Sequence, residues 1–128
     1  MLIRIGLFMG TTFLAVAEVI AAPREIRIAD LHCDMTTIES IGKRLDTGNP
    51  LTDGTVIGYA NKVLGISYDR IAAIVEKSNV GDRVKLCLTA KYIDCPKGDT
   101  RGRTYRATNL RTGDTWELPD SQHVCGGA

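Results

Sequence analysis

The sequence predicts an α+β, β-rich domain: a small antiparallel sheet or partly open barrel with one or two short helices, braced by disulfides. Three observations lead there. Apolar and polar residues alternate in several short runs, most clearly over Arg83–Tyr92. Gly, Asn, Asp and Pro clusters separate those runs at hairpin-like spacing. Four cysteines, Cys33, Cys87, Cys95 and Cys125, all fall after an apolar N-terminal stretch that reads as an export signal.

The first 22 residues form that signal. Arg4 supplies a short positive start, and Ile5 to Val16 form an uncharged, mostly apolar run. Small residues place the cleavage site after Ala17 or after Ala21. Glu18 interrupts the run before it reaches the ~20 residues that a membrane span requires, so no stable membrane anchor is expected after cleavage. Residues 23–128 are then one small exported domain, periplasmic or extracellular. Both phenylalanines lie in the leader, which leaves Tyr59, Tyr68, Tyr92, Tyr105 and Trp116 as the aromatics of the domain. A core so poor in aromatics depends on Ile, Val and Leu, and small exported domains of this kind commonly add covalent cross-links.

The elements follow in order. Pro23 to Leu31 alternates, with Ile26 and Ile28 on one side, and predicts a strand. Leu31, Met35, Ile38, Ile41 and Leu45 recur at helical spacing, and Asp34 is placed to cap a helix beginning at Met35. Thr36, Thr37 and Ile38 favour a strand instead; the spacing is taken to predict a short helix. Asp46 to Gly54 is a loop by composition. Thr55 to Tyr68 is rich in β-formers and divides into two strands at Asn61-Lys62. Asp69 to Lys77 reads as one or two helical turns or an extended segment, and Asn79 to Asp82 as a turn. Arg83 to Tyr92 is a strand with Val84, Leu86 and Leu88 on one face. Thr104–Asn109 and Asp114–Leu118 form a hairpin across Leu110 to Gly113, with Trp116 and Leu118 facing inward. The tail from Pro119 is turn-rich and relies on Cys125 for anchorage.

Four cysteines allow three pairings. Cys87–Cys95 with Cys33–Cys125 is preferred, since it closes one short loop and ties the start of the domain to its end. Cys33–Cys87 with Cys95–Cys125 stays open, because spacing alone does not fix connectivity.

Charge excludes some functions. Sixteen Lys and Arg against fifteen Asp and Glu leave a net charge of +1, too little for the broad positive field of a nucleic-acid-coating protein. No nucleic-acid partner and no cofactor is expected. The most distinctive local feature is the basic stretch that includes Arg101, Arg103, Arg106 and Arg111, with Tyr105 and Trp116 nearby. Arginine forks hold carboxylates or phosphates, and aromatic rings add a stacking surface. These six residues are the candidate ligand-binding face. The simpler reading of the same stretch, and the favoured one, is a solvated strand face with Asp99 and Asp114 as counter-charges.

Two constellations suit other chemistry. His32 adjoins Cys33 and His123 lies near Cys125, so a Cys33–Cys125 bridge would bring two histidines together for zinc or copper. No C-x-x-C or H-x-x-x-H spacing supports a metal, and structural disulfides are the stronger reading. Asp120, Ser121 and His123 bring together the residue types of a catalytic triad, but there is no G-x-S-x-G elbow, and turn hydrogen bonds explain Asp120 and Ser121 better. The expectation is therefore a non-enzymatic binding protein of the cell envelope or extracellular space: an inhibitor, accessory factor or subunit. Its partner would be a protein or an anionic envelope component. The alternative is a small envelope enzyme or metal carrier using His32 and His123.

Overall fold

The expected helix over 31–45 is absent, and in its place Arg24–Gly42 runs as one 19-residue strand, β1. The computed structural model describes residues 10–17 and 21–127; the leader predicted over 1–22 lies largely outside the described residues. The helical spacing in this segment loses because β1 is paired on both sides. Residues Arg24–Thr37 lie against β4 (Arg83–Ile93), and Ile38–Gly42 lie against β2 (Thr55–Tyr59). Two ladders satisfy the backbone of a segment whose Thr36, Thr37 and Ile38 already favour extended geometry. Met35, expected on the apolar face of a helix, is 51% exposed, while Ile38 is 1% exposed.

The remaining elements are β3 (Leu64–Ser67), α1 (Ala72–Val75), β5 (Thr104–Asn109) and β6 (Thr115–Pro119). All neighbouring strands are antiparallel, in the order β3-β2-β1-β4-β5-β6. The first four form a Greek key: β1, β2 and β3 are sequential neighbours, and the chain then returns to lay β4 beside β1. β5 and β6 continue as a meander. The sheet curls until its two edge strands, β3 and β6, approach each other without a ladder between them. The result is a nearly closed Greek-key barrel.

Helix content is small. The α1 helix has four residues, and its N-cap, Ile71, makes no side-chain cap bond. Thr55 holds the segment instead: its hydroxyl donates to Asp69 O at 2.8 Å and accepts from Ile71 N–H at 3.0 Å. Ile74 is thereby inserted beneath the barrel, fully buried.

The core is mainly aliphatic, as composition predicted, with two aromatic rings. It consists of Ile38, Ile57, Tyr59, Ile74, Val84, Leu86, Ala107, Trp116 and Leu118. Trp116 and Leu118 face inward as alternation required, and the indole N–H donates to the Tyr59 hydroxyl at 2.8 Å. The seam is closed by side chains rather than by hydrogen bonds. Gly65 permits this approach, since a Cβ there would lie 2.9 Å from Ile57 Cγ2 and 3.3 Å from Leu118 Cδ1.

The preferred disulfide pairing is corrected by the strands. The bridges are Cys33–Cys87 and Cys95–Cys125. Cys87 lies in the middle of β4 and Cys95 beyond its end at Ile93. At ~3.3 Å per residue the intervening strand separates their Cα atoms far beyond the ~7 Å limit for a bridge. Cys33 and Cys87 are instead direct cross-strand partners, and Cys95–Cys125 fastens the tail to the turn after β4. All four cysteines are thus oxidised, the state that an oxidising, exported environment maintains. Among the described residues no helix is long and apolar enough to cross a membrane.

Candidate functional site

The six residues of the basic and aromatic stretch do not share one surface. Trp116 is in the core, and Tyr105 is half-buried against it. Arg101, in the turn before β5, forks onto Asp99 with Nε 3.0 Å from Oδ1 and Nη2 2.9 Å from Oδ2. Asp99 also accepts from Gly126 N–H at 3.1 Å, so this ion pair secures the tail beside the Cys95–Cys125 bridge. The Arg101 fork holds the Asp99 carboxyl well below the usual carboxylate range. Arg103 is half-buried, and its carbonyl accepts from Asp120 N–H at 2.8 Å.

Arg111 lies at the opposite end of β5. Its Nε and Nη2 donate to Asp82 at 2.8 and 2.9 Å, and Nη2 also donates to Lys77 O at 2.7 Å. Asn109, fully buried, donates to both Asp82 and Ser78 and accepts from the backbone of Arg111 and Thr112. The Arg111 fork, then Asn109 and Asn79 N–H, hold Asp82 far below the usual range. Both of these arginine forks are therefore filled by the chain's own carboxylates. They lock turns.

Arg106 alone of the four arginines points out from the middle of the sheet. Its Nε lies 3.6 Å from Glu117, and Arg27 Nη1 donates to the same carboxylate at 2.9 Å. The Arg27 hydrogen bond is the main influence holding Glu117 below its ordinary range. Two cations share that carboxylate, and Glu25 acts on Arg27 as a second anion, so the charges of this exposed cluster balance.

The histidines are not brought together by a common bridge, because Cys33 and Cys125 belong to different disulfides. Oxidation also removes the thiolates that a Cys/His metal site would use. Among the described residues no group of three His, Cys, Asp or Glu side chains converges on a metal-sized space. In the tail, Ser121 Oγ accepts from His123 N–H at 3.1 Å, and Asp120 Oδ1 accepts from Gly102 N–H at 2.8 Å. Burial pushes the Asp120 carboxyl up from its ordinary value. The Ser121 bond is the local turn bond expected of such a residue, whereas the Asp120 carboxylate reaches back to the turn before β5 and ties the tail to it.

A concavity lies elsewhere, where the barrel seam opens between β3 and β6. It is a cleft of about 400 Å³ lined by Ile66, Tyr68, Asp69, Ile71, Glu117, Leu118, Ser121 and Gln122, among others. Tyr68 stands at its mouth, 61% exposed. Arg44, from the loop after β1, covers one face of the ring with its guanidinium carbon 4.2 Å from the centroid. Arg44 Nη1 donates to Gln122 Oε1 at 3.3 Å, while Nε is buried with no hydrogen-bond partner. The arrangement depends on Gly54, whose φ of 76° suits glycine and whose missing Cβ leaves room for the Arg44 side chain and the Ser67 carbonyl.

Asp53 organises the same loop. It is fully buried, accepts from the Thr47 N–H at 3.1 Å and from the Thr47 hydroxyl, and has Lys43 Nζ 3.9 Å from Oδ2. Sequence reading passed over Arg44, Asp53, Tyr68 and Gln122 as sites. The Asp-Gly before β2 marked a turn, and nothing local linked residue 44 with residues 68 and 122. Comparison with known proteins found no family model, curated protein or solved structure that matches this chain, so its functional reading rests on the geometry of this barrel alone.

Proposed function

We propose that this chain is a small exported, non-enzymatic binding protein of the cell envelope or extracellular space, acting as an inhibitor, accessory factor or subunit, and that it holds its ligand in the cleft between β3 and β6. The observation that carries this reading is Tyr68. An exposed aromatic ring is braced from behind by Arg44 and stands over a cleft with apolar walls and a few polar side chains. That is the usual composition of a small-ligand site. Asp69, Ser121 and Gln122 supply acceptors and donors around the ring, and Ile66, Ile71 and Leu118 supply the apolar wall. A sugar ring suits this mixture: its apolar face stacks on tyrosine while its hydroxyls reach the carboxylate, hydroxyl and amide. The ligand class is accordingly a glycan of the envelope.

The test is titration calorimetry of the oxidised protein against solubilised envelope glycan fractions. Tyr68→Ala is expected to weaken binding roughly tenfold, the value of one aromatic stacking contact, with an unchanged circular dichroism spectrum. Equal binding by parent and variant, or no heat with any glycan fraction, would overturn the reading.

A second reading is favoured by the sharing of Glu117 between Arg27 and Arg106. These two exposed guanidinium groups on the outer sheet face suit an acidic protein or another anionic envelope component that displaces Glu117. Arg27→Glu combined with Arg106→Glu would abolish capture of such a partner and leave glycan binding in the cleft intact.

A further inference from the structure

The two disulfides hold different things. Cys95–Cys125 fastens the tail, with Cys125 1% exposed and its N–H bonded to Arg101 O at 3.1 Å. Cys33–Cys87 joins residues that the β1–β4 ladder already sets opposite each other, between the pairs His32↔Leu88 and Asp34↔Leu86. Opening it removes no positional constraint that the ladder does not also impose. Its two sulfurs also differ in access, since Cys33 is an exposed residue and Cys87 is 7% exposed. An incoming nucleophile therefore meets Cys33.

The leaving sulfur would be that of Cys87, and the strand positions flanking it carry cations. Arg106 on β5 is the direct cross-strand partner of Cys87, and such partners share a face with Cβ atoms ~5 Å apart. Lys85 lies two residues before Cys87 on the same strand face. Arg106 Nε lies 3.6 Å from Glu117, a contact loose enough for the guanidinium to swing to the sulfur while Arg27, bonded at 2.9 Å, keeps that carboxylate paired. Positive charge beside a sulfur favours its thiolate form, and a more stable thiolate leaves faster.

From this geometry we infer that Cys33–Cys87 is a site of thiol–disulfide exchange, open to an external thiol through Cys33, with Arg106 positioned to stabilise the departing Cys87 thiolate. The reagent thiolate attacks Cys33 Sγ and the Cys33–Cys87 bond breaks. A mixed disulfide forms on Cys33 and Cys87 leaves as a thiolate. A second reagent thiolate attacks the reagent sulfur of the mixed disulfide and releases the Cys33 thiolate. Both protein thiolates take up protons. Two thiols are thereby oxidised to one disulfide while the protein bridge is reduced to two thiols. This inference does not depend on the glycan reading, because the bridge lies on the outer face of β1 and β4.

The experiment incubates the oxidised protein with reduced glutathione, quenches with acid, alkylates, and maps the labelled peptides over time. Cys33 and Cys87 should open at least ~10-fold faster than Cys95 and Cys125, with the glutathione adduct on Cys33 and the β-sheet dichroism preserved. Arg106→Gln should slow that step roughly threefold, and Arg106→Lys should restore it, with the Cys95–Cys125 rate unmoved in both. Equal opening of both bridges, an adduct on Cys87, or opening only with loss of the sheet signal would overturn the exchange site. An unslowed Arg106→Gln would overturn the part given to Arg106.

Discussion

Replacing Tyr59 with phenylalanine removes a single oxygen from the centre of the barrel, and the structure sets the consequence at two pH values. Tyr59 is 2% exposed and Trp116 is 6% exposed. The indole N–H donates to the Tyr59 hydroxyl at 2.8 Å. In Tyr59→Phe that N–H is buried without its partner, a loss of ~1–3 kcal/mol near neutral pH. For a domain of this size the melting temperature should fall by about 10 °C. Burial pushes the Tyr59 phenol up to about 12 from an ordinary 10.0. Because the folded value lies above the unfolded one, the associated stability is complete below pH 10 and is lost as pH rises toward 12. Two units correspond to about 2.7 kcal/mol. The parent should therefore lose its advantage over Tyr59→Phe as pH climbs, until the two are nearly equal at the top of that range. Trp116 is the only tryptophan, so urea unfolding followed by its fluorescence reads both proteins directly. A variant as stable as the parent at pH 7, or a gap that stays constant from pH 9 to 12, would refute the reasoning.

Gly65→Ala should destabilise the barrel by ~1–3 kcal/mol, because the new methyl meets Ile57 and Leu118 at the closed part of the seam; urea midpoints measure this. Asp82→Asn should flatten the acid limb of the stability curve. The native Asp82 carboxyl titrates far below its unfolded value, so its contribution is present above about pH 4 and lost as pH falls further. Thermal melts from pH 6 to 2 would show the parent losing more than the variant. Cys95→Ser with Cys125→Ser should lower stability by up to ~4 kcal/mol on the chain-entropy account of a bridge with a sequence separation of 30. It should also expose the tail to proteolysis, with the β1–β4 ladder still protected in hydrogen exchange.

Local patterns were enough to read β4, the β5–β6 hairpin, the inward Trp116 and Leu118, and the aliphatic character of the core, because alternation with period two is a property of a strand and its two faces. They were also enough to anticipate two bridges among the four cysteines. They misread residues 31–45, where helical spacing and β-branched residues gave opposite answers; the conflict was resolved by β4 and β2, which lie far along the chain and pair with β1 on either side. The bridge partners were fixed by the same ladder, which sets Cys33 opposite Cys87 and carries Cys95 out of reach. The cleft depended most of all on tertiary structure. Arg44, Tyr68 and Gln122 meet because a loop passes over Gly54 and the barrel stops short of closing between β3 and β6. In the sequence those residues are the end of an expected helix, the end of a strand and part of a turn-rich tail. Patterning determined which faces would be buried, since burial of a strand face needs only its own alternation. The assembly of the site required the long-range register and curvature of the whole sheet, which no segment of the chain encodes alone.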